Sequence, residues 1–272
     1  MKRKTSREKK AVITLTTDFG LKDPYQAAMK GAILTVNPGA VIVDVTHLVA
    51  HCDIAQGALM LDGAYRWFPP GTIHVAVVDP GVGGKRRAIL VETARYAFVG
   101  PDNGIFSLVC ARERVSRAVH LTGKRYFSAP VSPTFHGRDV FGPVAAALSL
   151  GKAPSVFGPE IPVASLVRLE LPAAKKNKGT LTGSVIHVDS FGNLITNINR
   201  SDLPQDCSVI RVRMKGISVK GLSESYSGAA PGRPAAIIGS TGLLEIALNG
   251  ASASDVLGVK EGERVRVEGV LI

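Results

Sequence analysis

The sequence predicts an α/β protein with a mostly parallel N-terminal sheet, followed by a smaller all-β domain. In the first half of the chain, strand-length apolar runs alternate with helix patterns. This order is typical of a parallel sheet that is covered on both faces. Beyond residue 180, short strands of alternating polarity follow one another, which predicts a barrel or a sandwich. A length of 272 residues is enough for both domains.

The first half begins with a β-α-β-α-β order. Three apolar runs are predicted as strands, at residues 11–16, 41–46 and 72–78. The first intervening helix is predicted to begin at Asp23-Pro24, with Asp23 as its N-cap and Pro24 at its first helical position. It runs to about Val36 and ends at an Asn-Pro-Gly sequence. Asp53 is predicted to cap the second helix, which carries an apolar face.

The remainder of the first domain continues with two closely joined strands, at residues 88–92 and 96–99. A turn follows at residues 101–104, and an Ala-rich helix pattern spans residues 140–150. We therefore assign residues 11–170 to an N-terminal α/β domain. Residues 171–180 are polar and interrupted by Pro and Gly, which predicts a linker. Residues 181–272 form the predicted β-domain, with strands at residues 181–188, 194–198, 208–214, 235–238, 243–247 and 264–269.

Composition narrows the class of protein. Hydrophobic residues make up 45% and charged residues 20% of the chain, which fits a globular protein. No apolar run approaches the roughly 20 residues that span a bilayer, and the short run after the basic start lacks signal-peptide features. We therefore expect a cytoplasmic protein without a membrane partner. Cys52, Cys110 and Cys207 are far apart, which argues against disulfides and a zinc site, so no metal is expected.

Nearly half of the formal net charge of +11 lies in the first ten residues. Residues 1–10 hold six Lys or Arg and one Glu, a net charge of +5, so the rest of the chain carries +6. Such a composition predicts a disordered, solvated basic tail at residues 1–10. A basic protein attracts anions, but the chain has no recognisable nucleic-acid motif. We therefore expect no nucleic-acid partner.

The most informative motif places Asp79 and Arg86 across a glycine-rich turn. Asp79 ends the predicted strand at residues 72–78, and ligands bind at the carboxyl edge of open α/β sheets. His136 lies in a later Phe-His-Gly-Arg-Asp sequence and offers a group that exchanges protons near neutral pH. Arg87 is a rival for the role of Arg86. Because neighbours at a strand start point to opposite faces, we expect only one of the two arginines in the site.

Other polar motifs follow predicted strands. Asp18, after the first strand, is suited to two neighbouring hydroxyls such as those of a ribose, or to a local turn. The sequence from Asp189 to Asn197 combines polar groups with Phe191, which suits a purine or an amino acid, or a β-turn. Gly239-Ser240-Thr241-Gly242 also fits an ordinary turn. The glycines match no phosphate-binding motif, and no Gly-x-Ser-x-Gly nucleophile elbow occurs.

Together these motifs resemble one family, the S-adenosylmethionine hydroxide adenosyltransferases, also called S-adenosylmethionine hydrolases. This family is related to the adenosyl fluoride and chloride synthases. The resemblance covers roughly residues 11–250. The matching segments, in chain order, are Leu-Thr-Thr-Asp18-Phe-Gly, Tyr25-x-x-x-Met-Lys-Gly, Ile-Val-Asp44-Val-Thr-His47, Phe-Pro-x-Gly-Thr-Ile-His74, Val-Val-Asp79-Pro-Gly-Val-Gly, Gly-Pro-Asp-Asn103-Gly, Phe-His136-Gly-Arg-Asp139, Asp189-Ser-Phe-Gly-Asn193-Leu-Ile-Thr-Asn and Gly-Ser240-Thr-Gly.

The resemblance implies a three-layer α/β N-terminal domain and a small C-terminal β-barrel. It implies a homotrimer that holds S-adenosylmethionine between the N-terminal domain of one subunit and the C-terminal domain of its neighbour. The molecule is a substrate, so no cofactor is implied. Water or hydroxide attacks ribose C5′, methionine leaves, and adenosine forms. The family's catalytic trio falls on Asp79, Arg86 and His136, with Arg86 stabilising hydroxide character while Asp79 and His136 orient the water and accept its proton.

The resemblance also implies a set of substrate contacts. Asp18 would bind the ribose hydroxyls, and Asp189 and Ser240 would hold the methionine ammonium. Phe191 and Asn193 would line the adenine or methionine pocket, and we assign Asn103 and Asn249 to the substrate site as well. Halide-forming relatives carry an Arg after the serine. Thr241 occupies that position here, which leaves the partner of the methionine carboxylate open.

Two alternatives remain. A halide (chloride) adenosyltransferase would have the same fold, but a carboxylate such as Asp79 beside the nucleophile would repel a halide. A non-catalytic nucleoside- or S-adenosylmethionine-binding protein would need the pocket but not the trio. The full trio favours the hydrolase.

Overall fold

The computed structural model describes residues 11–270, which divide between Leu169 and Glu170 into two compact units. The tail predicted at residues 1–10 therefore lies outside the described residues. Within residues 11–270, every helix is too short or too polar to cross a membrane.

The N-terminal unit is built on a six-stranded sheet. Its strands are β1 (Val12–Thr17), β2 (Val41–Thr46), β3 (Ile73–Val77), β4 (Ala88–Thr93), β5 (Ala97–Pro101) and β6 (Val115–His120). They lie in the order β2-β1-β3-β5-β4-β6. The neighbouring strands β2, β1, β3 and β5 are parallel, whereas β4 runs antiparallel to both β5 and β6. The predicted mostly parallel sheet is confirmed.

Helices cover both faces of this sheet. They are α1 (Tyr25–Val36), α2 (Ile54–Ala64), α3 (Ser107–Arg112) and α4 (Gly142–Ser149), the last preceded by a π-helical turn at Gly137–Phe141. The side chains of β3 alternate between two apolar clusters. Val75 and Val77 pack with α1 and α4 on one face, whereas Ala76 packs with α2 and α3 on the other. A strand buried on both faces needs apolar side chains on both, and β3 is apolar at every position except His74.

The two predicted helix caps have different outcomes. Asp53 caps α2 as predicted, because its side chain accepts a hydrogen bond from the backbone N–H of Gln56. Asp23 does not cap α1, and that prediction is wrong. Pro24 is itself the N-cap, and its carbonyl accepts from Ala28 N at 2.9 Å. Pro24 has φ −77° and ψ 5°, which is outside helical geometry, so the helix begins one residue later than the pattern suggests.

The C-terminal unit is an antiparallel sheet with one short helix, α5 (Ala253–Leu257). The strands are β7 (Lys175–Asn177), β8 (Thr180–Val188), β9 (Leu194–Asn199), β10 (Arg211–Met214), β11 (Ile217–Lys220), β12 (Pro234–Ile238), β13 (Leu243–Leu248) and β14 (Arg264–Glu268). They follow one another in the order β11-β10-β14-β8-β9-β13-β12, and β7 pairs separately with β8. The edge strands β11 and β12 are in contact, which nearly closes the sheet into a barrel.

Five elements were not predicted from the sequence: helix α3, strand β6, strand β7, strand β11 and helix α5. Strand β7 lies within the segment predicted as a linker, and all three of its residues are exposed. An edge strand with no buried face shows no apolar alternation, which explains why composition indicated a linker there. Strand β11 and helix α5 are only four and five residues long. Elements of that length contain too few residues for a periodic pattern.

Candidate active site

Asp79 lies just beyond β3, at the carboxyl edge of the sheet. Its side chain is 5% exposed, and the loop that follows returns the chain to Arg86. Gly83 in this loop has φ +74°, and a Cβ atom there would lie 2.2 Å from the carbonyl oxygen of Pro133. A larger residue is therefore excluded by both backbone conformation and space. The loop is fixed against the segment that precedes His136.

Arg86 donates three hydrogen bonds to the Asp79 carboxylate. The Nε of Arg86 is 3.0 Å from both carboxylate oxygens, and its Nη2 also donates to Asp79 Oδ2. Such a two-pronged contact fixes the plane of the guanidinium as well as its position. The guanidinium also lies over the buried ring of Phe141, with its Cζ 5.3 Å from the ring centroid.

His136 completes the cluster through the same guanidinium. Arg86 Nη2 lies 2.7 Å from His136 Nδ1. A guanidinium has no lone pair to offer, so Nδ1 must accept this hydrogen bond and the ring proton must be on Nε2. Burial and the charge of Arg86 lower the pKa of His136, against the opposing effect of Asp79 and Asp139. The cluster therefore holds a neutral imidazole with an Nε2–H donor.

Arg87 lies elsewhere. Its Nε donates to Asp102 at 2.8 Å, and its guanidinium reaches Ser165. Strand β4 begins at Ala88, so the strand pleat directs these adjacent arginines to opposite sides. Arg86 is thus the arginine that contacts Asp79 and His136.

A cavity of about 760 Å³ opens beside Asp79 and His136. This volume lies within the usual range for small-molecule sites. One wall is aromatic, formed by Phe19, Tyr25 and Phe135, whose rings meet edge to face at centroid distances of 5.5 to 6.4 Å. Carboxylate, imidazole and aromatic surface therefore face one space.

Asp18 lines the same cavity. Its Oδ2 accepts from the backbone N–H of Cys52 at 3.0 Å. Within residues 11–270, its Oδ1 has no hydrogen-bond partner. The side chain is 11% exposed, so this oxygen is available to a ligand without being freely solvated.

One group of side chains near this cavity has metal-ligand chemistry. Asp18, His51 and Cys52 bring three ligand-type atoms within 4.8 Å of one another. His51 is 91% exposed and therefore weakly held, and Oδ2 of Asp18 already binds a backbone N–H. His47 does not join the group, because its Nδ1 is bonded to Thr17 Oγ1 at 2.8 Å.

Asn103 does not line the cavity, and its side chain instead binds backbone groups next to the site. Its Nδ2 donates to the Val78 carbonyl at 2.8 Å, and its Oδ1 accepts from Ile105 N at 3.2 Å. Both ends of the amide are thus used by the backbone. This contact positions the end of the segment that carries Asp79.

In the C-terminal unit, Asp189 organises the loop between β8 and β9. Its Oδ1 accepts from the backbone N–H of Phe191 at 2.9 Å and of Asn193 at 2.8 Å. Its Oδ2 accepts from Asn193 Nδ2 at 2.9 Å. The ring of Phe191 is left 79% exposed at the tip of this loop. An aromatic ring held so far into solvent by a rigid turn is suited to stacking on a ligand or a partner.

Ser240 and Asn249 lie at opposite ends of the β13 hairpin. Ser240 sits in the tight turn between β12 and β13, which is closed by a bond from Gly239 N to Leu243 O at 2.9 Å. Asn249 donates from Nδ2 to the Ala229 carbonyl at 2.7 Å, which ties two loops together. In the structure Asn249 is therefore a brace, while Ser240 lies in a turn.

Sequence inspection missed Glu245 and Tyr226. Glu245 is buried on β13, and Tyr226 donates to its Oε2 at 2.9 Å. Burial raises the pKa of the Glu245 carboxyl, and nearby Asp189 raises it further. A Cβ atom at Gly239 would lie 1.7 Å from Glu245 Oε1, so the turn before Ser240 packs on this carboxyl. The signal was a lone acidic residue in the apolar run Leu-Leu-Glu-Ile-Ala-Leu.

The structure thus brings Asp18, Asp79, Arg86 and His136 together in the N-terminal unit. A carboxylate and a neutral imidazole donor line a cavity of ligand size, and the Arg86 guanidinium joins them through hydrogen bonds. This combination suits the orientation of a water molecule or the stabilisation of an anionic nucleophile. Asp189, Phe191 and Asn193 form a separate constellation in the C-terminal unit.

Comparison with known proteins connects both constellations to one family. Residues 13–158 match the SAM hydroxide adenosyltransferase N-terminal domain, and residues 183–266 match the SAM hydroxide adenosyltransferase C-terminal domain. The chain is 40% identical over 257 residues to an (R)-S-adenosyl-L-methionine hydrolase of Salinispora tropica, covering 94% of this chain and 97% of that protein. A hydrolase of the same name from Thermus thermophilus is 39% identical, with 92% and 97% covered.

More distant proteins and solved structures agree with this placement. A fluorinase of an Actinoplanes species is 26% identical over 288 residues, covering 94% of this chain and 97% of that protein. The crystal structure of an uncharacterised conserved protein from Thermotoga maritima superposes with a TM-score of 0.87 at 35% identity. It covers 94% of this chain and 99% of that one.

Proposed function

The chain belongs to the SAM hydroxide adenosyltransferase family, and from this membership we propose that it is an enzyme that hydrolyses S-adenosyl-L-methionine to adenosine and L-methionine. The observation that carries the proposal is the Asp79, Arg86 and His136 cluster on the wall of a ligand-sized cavity. A protein that only bound the molecule would need the cavity but not a buried cation joined to an imidazole.

The reaction is a substitution at ribose C5′. A bond forms between the nucleophile oxygen and C5′ while the C5′–S bond breaks, and its electron pair goes to sulfur. The products are adenosine, L-methionine with a neutral thioether sulfur and, when water is the nucleophile, one proton. The thioether leaves the sulfonium without help from an acid. The step that needs catalysis is therefore the attack by a weak or scarce nucleophile. Orientation of oxygen, carbon and sulfur in line contributes to the rate through proximity.

The hydrogen bonds of the cluster favour hydroxide rather than water as the reacting species. His136 Nδ1 is engaged by Arg86, and both oxygens of Asp79 accept from the same guanidinium. Nδ1 of His136 is therefore unavailable as a base, and Asp79 is paired with a cation. Arg86 supplies positive charge and His136 supplies an Nε2–H donor, and both stabilise an oxyanion. In place of the expected acceptance of a proton by Asp79 and His136, we therefore assign Arg86 and His136 to holding hydroxide, and Asp79 to fixing Arg86.

The substrate contacts follow from the family and the cavity. We assign Asp18 to the ribose hydroxyls, because it lines the cavity and its Oδ1 has no hydrogen-bond partner within residues 11–270. Asp189 and Ser240 are assigned to the methionine ammonium, and Phe191 and Asn193 to the adenine or methionine pocket. Asn103 and Asn249 act through the backbone they brace.

We further propose a homotrimer whose sites combine the N-terminal unit of one subunit with the C-terminal unit of its neighbour. The separation of the substrate-contact residues into two constellations supports this arrangement. In residues 11–270 the three cysteines are free, in agreement with a reducing compartment, and we propose the cytoplasm.

The deciding experiment incubates the purified protein with S-adenosyl-L-methionine and separates the products by chromatography. The hydrolase produces adenosine at a rate that chloride does not change. A halide transferase, the alternative supported by the fluorinase relatives, produces a 5′-halogenated nucleoside when the halide is present. Binding without any turnover above the spontaneous background would instead indicate a non-catalytic protein.

A further inference from the structure

A second cavity of about 490 Å³ lies on the other side of the catalytic cluster. His136 lines both cavities. Asp79 lines only the first, and Arg86 lines only the second. The cluster is therefore a partition between two spaces, with its carboxylate toward one and its guanidinium toward the other. The apolar residues of the second cavity are Ala88, Leu121, Phe127, Ala129, Val131 and Val140.

The polar residues of the second cavity are donors or cations. Arg86, Lys124, His120, His136 and Ser128 line it, and no Asp or Glu is among its lining residues. A concave surface lined by one sign of charge raises the local concentration of the opposite ion. Asp79 balances the charge of Arg86 from the other side, so Lys124 supplies the excess positive charge of this space, which favours small anions and water over cations. The first cavity is lined by Asp18 and Asp79 together with Arg138, and its two carboxylates suit a cationic sulfonium.

The direction of attack gives the second cavity a role. In a substitution at carbon, the nucleophile arrives opposite the leaving group, and the substrate itself fills the space on its own side. A nucleophile supplied past Arg86 and His136 needs no passage around the bound substrate. We propose that the second cavity is the entry and holding site of the nucleophile, with water or a small monovalent anion as its ligand. This inference rests on the proposed hydrolysis.

The first test fills or discharges the second cavity without touching the cluster. Val131→Trp places a large ring in the cavity, and Lys124→Gln removes a cation. Val163→Trp is the matched control, because Val163 is 38% exposed against 40% for Val131 but lines neither cavity. Arg125→Gln is the control for the lost charge, since Arg125 is the neighbour of Lys124 and lies over Tyr126 instead.

We expect Val131→Trp to lower kcat about 10-fold or more at unchanged KM for the substrate, since only delivery of the nucleophile is impeded. Val163→Trp should match wild type. Equal kcat in both variants overturns the inference. If thermal unfolding shows that Val131→Trp misfolds, the Lys124→Gln pair decides the question alone.

The second test uses nitrate, a weakly nucleophilic anion, as a probe. Nitrate should inhibit wild type by lowering kcat without raising KM, and Lys124→Gln should weaken that inhibition about fivefold while Arg125→Gln does not. Inhibition purely by competition with the substrate would place the anion in the first cavity and overturn the inference. Calorimetric titration of nitrate into the substrate-free protein separates the two proposals. Lys124-dependent binding without any adenosine production would refute the hydrolysis alone, and adenosine production without nitrate binding would refute this inference alone.

Discussion

Arg86 and Arg87 are adjacent in sequence but contact different partners. Arg86 contacts Asp79 and His136, whereas Arg87 contacts Asp102 and Ser165. Both pair with a buried carboxylate, so their charges have similar structural surroundings. Only Arg86 touches the imidazole. Comparing substitutions at Arg86 and Arg87 therefore distinguishes a role in the active site from the structural effect of losing an arginine ion pair.

We predict that Arg86→Lys loses activity about 10²- to 10³-fold, because lysine keeps the charge but not the fork that joins Asp79 to His136. Arg87→Lys is the matched control and should retain activity near that of wild type. Adenosine production measures the rates, and thermal unfolding measures the folding of both variants. Similar losses in the two variants would argue against the assignment of Arg86.

The pH profile tests the tautomer of His136. The lowered pKa keeps the imidazole neutral below its ordinary value of 6.5, so the acid limb of activity should fall below pH 6.5. Protonation would place a hydrogen on Nδ1 and turn its contact with Arg86 repulsive. In Arg86→Gln one cause of the depression is gone, and the residual activity should show an acid limb shifted to higher pH. An unshifted limb would assign the titration to another group.

At the scale of elements, β1 and β3 are joined in the middle of the sheet by side chains as well as by backbone. Thr14 Oγ1 lies 2.7 Å from His74 Nδ1, and the two residues are register partners. The imidazole stacks on Phe98 at 5.2 Å. Burial lowers the pKa of His74 to about 3, so the folded chain holds this residue neutral. His74 is therefore a core residue rather than a site residue.

This burial makes stability depend on pH. The unfolded chain binds a proton at His74 below about pH 6.5, whereas the folded chain does not until about pH 3. The contribution is complete above pH 6.5 and declines as the pH falls, by about 2 kcal/mol between pH 6.5 and 5. We predict that the double variant Thr14→Val with His74→Phe loses this part of the slope. Urea denaturation at both pH values, followed by circular dichroism, measures the difference. A variant with the wild-type slope would show that His74 does not contribute.

At the scale of the whole molecule, the two constellations lie in different units of the chain. The proposed trimer predicts that each site takes its trio from one subunit and its Asp189 loop from another. Co-expression of Arg86→Lys with Asp189→Ala tests this directly, because some sites would then receive two intact halves. Random assembly predicts recovery of about a quarter of the wild-type activity. The separate variants, mixed after purification without subunit exchange, are the control. No recovery on co-expression would place each site within one chain.

The class of fold can be predicted from the amino-acid sequence, because the apolar period of each long element reflects how many of its faces are buried. Examples are β3, which is apolar at every position but His74, and β8, in which buried positions alternate. The sequence also indicated Asp79, Arg86 and His136 as a set, since the order of the motifs identified the family.

Features that depend on contacts between distant residues could be identified only from the folded chain. These are the bond from Arg86 to His136, which sets the tautomer, the second cavity behind it, and the bracing roles of Asn103 and Asn249. Glu245 belongs with them, because its partners Tyr226 and Gly239 lie on other segments. Periodicity records how one element meets the core. Distances between side chains on separate elements arise only when the chain has folded.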